Sequence, residues 1–185
     1  MRRHSTTERN KDNMATEKQK AFCRMVFNAA KNMNEINPYF VAAQACLESS
    51  WGARMIGKYN CFGITIGSNW NGKKILSPTT EVFSRKDVKF KWPERVVSIK
   101  ACSNGKYVYS CFRYFKDFDS MEQCLEEHLR LFKKPGYADA WPYRKDAREF
   151  AKRIADNKGC KYATAPTYYK TMCDMISSVE RIIGK

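Results

Sequence analysis

Close cysteine pairs and histidines are what this chain of 185 residues most lacks. Its eight cysteines include no Cys-x-x-Cys pair, and its histidines are two, His4 and His128. A zinc site needs clustered thiolate and imidazole ligands, so it is poorly supported, and no metal or other cofactor is expected. The cysteines read instead as reduced side chains packed as small hydrophobes, with Cys23, Cys124 and Cys173 on apolar helical stripes. No apolar run reaches the roughly 18 residues of a membrane-spanning helix, which sets membrane insertion aside. The basic start, Met-Arg-Arg-His-Ser-Thr-Thr-Glu, has no apolar core behind it and so is not a secretory signal. Acidic residues are also scarce. There are 19 Asp and Glu against 34 Lys and Arg, a net charge of +15. Such a field favours a polyanionic partner: nucleic acid, an anionic membrane or an acidic cell-wall polymer. No aromatic-rich RNA motif or basic recognition helix stands out, so no nucleic acid partner is expected.

The chain length suits one domain with a sizeable core. Residues 1–14 read as a disordered basic leader, and 15–185 as a single domain without internal repeat or linker. The organising stretch is 38–52. Asn37 is a good N-cap, Pro38 suits the first helical position, and Gly52 can stop the helix. Between them the helix is apolar on nearly every side, as a buried helix is. Its one charge is Glu48, on the face of Val41, Gln44 and Ala45. A carboxyl buried there without a partner has its pKa pushed up, the preparation of a general acid. The same spacing equally fits a Glu that reaches solvent at the helix end.

Thr16 and Gln19 predict a capping box ahead of a helix with Ala21, Phe22, Met25, Val26, Ala29 and Met33 on its stripe. That helix should pack on the Glu48 helix through the short turn at 34–37. Asn71-Gly72 and Asn104-Gly105 mark a β-rich lobe, the second turn forming a hairpin between 96–102 and 106–112. Residues 84–116 carry nine basic and two acidic side chains, so this lobe holds much of the excess charge. Ser120 and Gln123 predict a second capping box, opening a helix whose stripe makes His128 a core residue rather than a catalytic one. A Pro/Gly/aromatic loop spans 133–144, a basic helix about 145–157, and Pro166 opens the last helix.

Several of these segments form a recognisable set. Gln-Ala-Cys-Leu-Glu-Ser-Ser-Trp-Gly from Gln44 to Gly52, then Asn-Cys-Phe-Gly-Ile from Asn60 to Ile64, resembles the signature of the glucosaminidases of glycoside hydrolase family 73. Thr80-Glu81 resembles the family's Thr-x-Glu segment, and Phe112-Arg113-Tyr114 with Ser120 its Phe-Arg-x-Tyr…Ser element. Tyr-Ala-Thr-Ala-Pro-Thr-Tyr from Tyr162 to Tyr168 resembles its Tyr-Ala-Thr-Asp-Pro-x-Tyr motif, with Ala165 in place of the Asp. The five segments fall in the family's order across roughly 37–183.

The resemblance implies an α+β, mainly α, lysozyme-like fold: a helical core and a small β-hairpin lobe flanking a cleft. It implies an endo-β-N-acetylglucosaminidase that hydrolyses the β-1,4 bond after N-acetylglucosamine in peptidoglycan. Glu48 matches the catalytic acid, Glu81 the candidate second carboxylate and Tyr162 a tyrosine of the site. Gln44, Asn60, Phe62 and Tyr168 match positions expected to bind substrate. The segment 82–111 is longer than usual, which makes Glu81 the less secure placement. A glycosidic oxygen leaves readily only when protonated, and the opposite sugar face needs a base, a nucleophile or the substrate's own acetamido oxygen.

Rival readings are a muramidase, a lytic transglycosylase needing one acid alone, and a non-catalytic wall-binding module. One short leader, one catalytic domain and no signal peptide resemble a bacteriophage lysin. The expectation is therefore a monomer held in the cytoplasm until released onto the cell wall.

Overall fold

A computed structural model describes residues 15–67, 69–157 and 167–184. The predicted leader, Cys160, Tyr162, Ala165 and Pro166 lie outside these residues. Helix α1, Glu17–Met33, opens on the predicted capping box: Gln19 N donates to Thr16 Oγ1 and Thr16 N to Gln19 Oε1. It ends at Asn34, whose left-handed backbone (φ 49°) starts the short turn. Its buried stripe is rotated from the expected one. Cys23 and Phe27 face the core, while Ala21 and Met25 face solvent. Met25 is long and unbranched and lies at the stripe's edge, so its exposure needs no further cause.

Helix α2, Pro38–Glu48, is capped by Asn37 Oδ1, which accepts from Tyr39 N at 3.0 Å. Residues 40–46 are all buried, because α1, α4 (Ala147–Asp156) and α5 (Tyr168–Ile183) pack around this helix. Phe40 meets Phe150 of α4 and Phe132 of α3 (Met121–Phe132) edge to face, with ring centroids 4.9 and 5.9 Å apart. Edge-to-face pairs set positive ring rims against negative ring faces, so they add to burial itself.

The predicted second capping box is half formed. Ser120 Oγ accepts from Gln123 N, but Gln123 Oε1 accepts from Asp119 N instead of from the cap residue. The aromatic loop contains two single 3₁₀ turns, Pro135–Tyr137 and Trp141–Tyr143.

The β-lobe is a three-stranded antiparallel sheet: β1 (Lys74–Phe83), β2 (Arg95–Ala101) and β3 (Tyr107–Lys116), ordered β1-β3-β2. The Asn104-Gly105 turn is the predicted one. Cys102 N donates to Lys106 O at 2.8 Å, and Gly105 takes φ +76°, a conformation that glycine adopts without steric cost. Asn71-Gly72 makes a bend before β1 rather than a hairpin.

Burial along β1 alternates with period two over 77–83. Ser77, Thr79 and Glu81 are half-buried on one face, while Pro78, Thr80 and Val82 are exposed on the other. The segment 84–94, part of the long stretch 82–111, lies over that inner face. Phe90 packs on Phe83, with the Arg113 guanidinium 4.4 Å above its ring, and Tyr109 Oη donates to Arg85 O at 2.9 Å. No helix among the described residues is long and apolar enough to cross a membrane.

Candidate active site

Helix α2 stops at Glu48, four residues before Gly52, and the reason is Ser49. Its buried hydroxyl donates to Ala45 O at 2.6 Å and accepts from Gly52 N at 2.8 Å. A serine that bonds its own backbone competes with the helix ladder. The chain then turns through left-handed conformations at Ser50 (φ 50°), Trp51 (φ 60°) and Gly52 (φ 82°). The two non-glycine residues there cost of order 1–3 kcal/mol each. Trp51 N to Cys46 O (2.7 Å) and Arg54 N to Ser49 O (2.8 Å), with the two Ser49 bonds, offset this at about 1 kcal/mol apiece. Gly52 has no room for a side chain, since a Cβ there would lie 2.7 Å from the Phe22 ring of α1. The Glu-Ser-Ser-Trp-Gly segment is thus a device that ends the helix at Glu48 and fixes the turn below it.

Of the two placements that the spacing allows, Glu48 takes the outer one. It is exposed, and the helix end is where it escapes the core. Its carboxyl is nevertheless partly enclosed, and that enclosure pushes its pKa above the ordinary value. The carbonyl-rich end of the helix acts in the same direction, because it disfavours a carboxylate. Glu48 makes no hydrogen bond or ion pair with any of the described residues.

One turn before Glu48, Gln44 is wholly buried. Its Oε1 lies 2.7 Å from Nε2 of His128 on α3, and its Nε2 donates to Tyr168 Oη on α5 at 3.0 Å. An amide oxygen only accepts, so His128 carries its proton on Nε2. Burial lowers the pKa of His128 to about 3, leaving the ring neutral at any ordinary pH. Phe62 lies flat on this imidazole, with centroids 3.7 Å apart and planes 7° from parallel. Tyr168 is buried too, and burial raises the pKa of its phenol, with the Glu48 charge a smaller cause in the same direction.

Asn60 is also fully buried. Its Nδ2 donates to Ile64 O (3.0 Å) and Lys116 O (2.9 Å), and its Oδ1 accepts from Ile64 N (2.9 Å). Gln44 and Asn60, both expected to bind substrate, are thus fully buried. Neither offers surface to a ligand, and each holds other elements in place. Gln44 joins α2 to α3 and α5, and Asn60 ties the loop after Glu48 to the end of β3. Tyr168 has 6% of its surface exposed and acts from below as well, whereas Phe62 is half-exposed. Sequence spacing alone does not separate a polar residue that touches a ligand from one that props the residue that does.

Glu81 sits on the inner face of β1, half-buried, with its Oε1 3.8 Å from Arg113 Nη1. The same guanidinium donates from Nε to Glu94 Oε1 at 3.0 Å, and Glu94 Oε1 also accepts from Tyr114 N at 2.7 Å. Glu94 is the other half-buried acid of the lobe. It ends the covering segment and, with Glu81, brackets Arg113. Tyr162 lies outside the described residues.

Five of the seven described cysteines are buried as small apolar residues, while Cys102 and Cys173 are half-exposed. All seven described are free thiols, and Cys61 and Cys124 meet with sulfurs 3.9 Å apart, well beyond a bonded distance. No cluster of metal-ligating side chains occurs among the described residues.

Residues 25–181 match the model of the glucosaminidase family, described as mannosyl-glycoprotein endo-β-N-acetylglucosaminidase. The chain belongs to this family of glycoside hydrolases. A probable N-acetylmuramidase of Lactococcus lactis subsp. cremoris is 29% identical over 175 residues, which are 88% of this chain and 34% of that protein. Peptidoglycan hydrolase FlgJ of Escherichia coli K12 is 27% identical over 163 residues, 84% of this chain and 44% of that protein. The chain thus spans less than half the length of these relatives. The glycoside hydrolase domain of Salmonella typhimurium FlgJ superposes with a TM-score of 0.64 at 22% identity, over 90% of this chain and 91% of that one. A peptidoglycan hydrolase mutant from Sphingomonas sp. A1 gives 0.63 at 22% identity, over 89% and 98%. The expected α+β, lysozyme-like fold is the one found.

Proposed function

We propose that this chain is a peptidoglycan hydrolase that cleaves the β-1,4 bond after N-acetylglucosamine, with Glu48 as general acid. The observation that carries the reading is Glu48 itself. It is the one charge of a core helix, placed at the helix end by a dedicated turn, raised in pKa and free of any described partner. A protonated carboxyl at the open end of a rigid helix is suited to protonate the leaving glycosidic oxygen. The bed of Gln44, His128 and Tyr168 fixes the helix that carries it. Glu81, held beside Arg113, serves the opposite sugar face, either holding water or steadying an oxazolinium-like intermediate. Tyr162 orients the acetamido group or that water. Relatives named as peptidoglycan hydrolases support the polymer, and the family description supports the bond.

The Lactococcus relative, named a probable N-acetylmuramidase, favours a second reading, in which the other β-1,4 bond is cut. Borohydride reduction of digested peptidoglycan, followed by mass spectrometry, separates the two. Reduced N-acetylglucosamine ends support the proposal. Reduced N-acetylmuramic ends overturn it in favour of the muramidase.

A further inference from the structure

The outer face of the β-sheet carries a side-chain arrangement that the proposed reaction does not use. Trp92 is 80% exposed, the most open large apolar residue among those described. The Arg95 guanidinium lies 5.5 Å from its ring centroid and 4.0 Å from that of Phe112, so the three side chains form a short stack. Arg95 Nη1 also donates to Pro93 O at 3.2 Å, which fixes the middle of the stack. Register places Phe112 opposite Arg95 on one side and Pro78 on the other, on the sheet face away from Glu81.

Exposed cations stand on the segment that carries Trp92 and farther along β2. Phe90 turns inward to Phe83 and Arg113, so its neighbours Lys89 and Lys91 are exposed, and Lys100 stands on the outer face opposite Val108. None of these three lysines has a hydrogen-bond or ion-pair partner among the described residues. The two acids of 84–116 do not neutralise them: Asp87 pairs with Arg85 at 3.5 Å, and Glu94 is held by Arg113 and the Tyr114 amide. The result is an open indole stacked on a guanidinium, with uncompensated ammonium groups on its own segment and on the outer face of β2.

We infer that this outer face is a second attachment surface for a carboxylate-bearing glycan strand of peptidoglycan, separate from the Glu48 site. This rests on the proposed polymer. The apolar face of a pyranose stacks on an exposed indole, and the carboxylates of stem peptides meet Lys89, Lys91 and Lys100. An anionic lipid surface fits less well. Inserting Trp92 into hydrocarbon would drag the Arg95 guanidinium out of water with it, and burying such a charge is expensive. Two attachment points on one polymer make the second contact intramolecular, so weak binding outside the site still raises occupancy inside it.

The test is retention on insoluble peptidoglycan in a Glu48→Gln background, with the reducing ends released by wild-type protein measured in parallel tubes. Trp92→Ala should weaken retention about fivefold, the scale of one aromatic contact. The double change Lys89→Gln/Lys91→Gln should weaken it comparably and flatten its salt dependence. Melting temperatures matched to the parent show that the variants fold. Phosphatidylglycerol vesicles should not retain the protein in a Trp92-dependent way. Unchanged retention of Trp92→Ala on peptidoglycan overturns the surface, as does Trp92-dependent retention stronger on vesicles than on peptidoglycan. Failure of the proposed reaction would show separately, as wild-type protein that releases no reducing ends.

Discussion

Gln44 Oε1 and His128 Nε2 are 2.7 Å apart, and the neutral imidazole donates the proton between them. Folding holds this ring uncharged between Phe62 and Phe132, whereas the unfolded chain lets it protonate near pH 6.5. Its folded pKa, about 3, is depressed. The unfolded state therefore binds the extra proton first as pH falls. Stability is full above about pH 6.5 and declines below it, by up to about 1.4 kcal/mol per pH unit for this one group. Melting curves between pH 7 and 5 should show a slope that His128→Gln reduces. An identical slope in the variant would assign the acid sensitivity elsewhere.

Glu48→Gln keeps the size of the side chain and removes the transferable proton. Activity on peptidoglycan should fall at least about a hundredfold, the low end for a general acid. Stability should move the other way. The folded pKa of Glu48 is raised, so its ionised form opposes folding once pH climbs past the ordinary carboxylate range. The variant should melt higher than wild type at pH 7 and close to it at pH 4. Near-normal clearing of wall suspensions would remove Glu48 from the reaction.

Glu81→Gln tests the second carboxylate. If Glu81 serves the same transition state as Glu48, the loss should again be about a hundredfold or more. Wild type should leave reducing N-acetylglucosamine ends and no anhydro sugar. Mild loss together with 1,6-anhydro-muramic ends would make the chain a transglycosylase working with Glu48 alone.

Asn60→Ala should act on stability before chemistry. Three backbone partners lose their bonds at a buried position, a loss of about 3 kcal/mol. At this chain length that lowers the melting temperature by roughly 6–12 °C. A smaller drop than this would show that water replaces the amide.

Much of the helical frame was legible because its signals are local: the Thr16–Gln19 box, the Asn37 cap with Pro38, and the Asn104-Gly105 turn. The end of α2 was not. No residue type forbids helix through 49–52, and only the Ser49 hydroxyl, already bonded to Ala45 O, decides the matter. Exposure of Glu48 follows from that ending, which is why its spacing alone left both placements open. The buried roles of Gln44 and Asn60 depend on partners 84, 124 and 56 residues away, which spacing along one helix or loop does not reveal. The hold of Arg113 and the Tyr114 amide on Glu94 comes from a covering segment that only the folded sheet creates.

The contact between Gly52 and the Phe22 ring makes the first helix part of the tuning of the site. The turn that positions Glu48 leans on a side chain 26 residues upstream of it. Anything that shifts α1, such as loss of the Thr16 cap or a smaller residue at Phe22, therefore arrives at the carboxyl as a displacement. Catalysis in this domain should report loosening of α1 earlier than circular dichroism does.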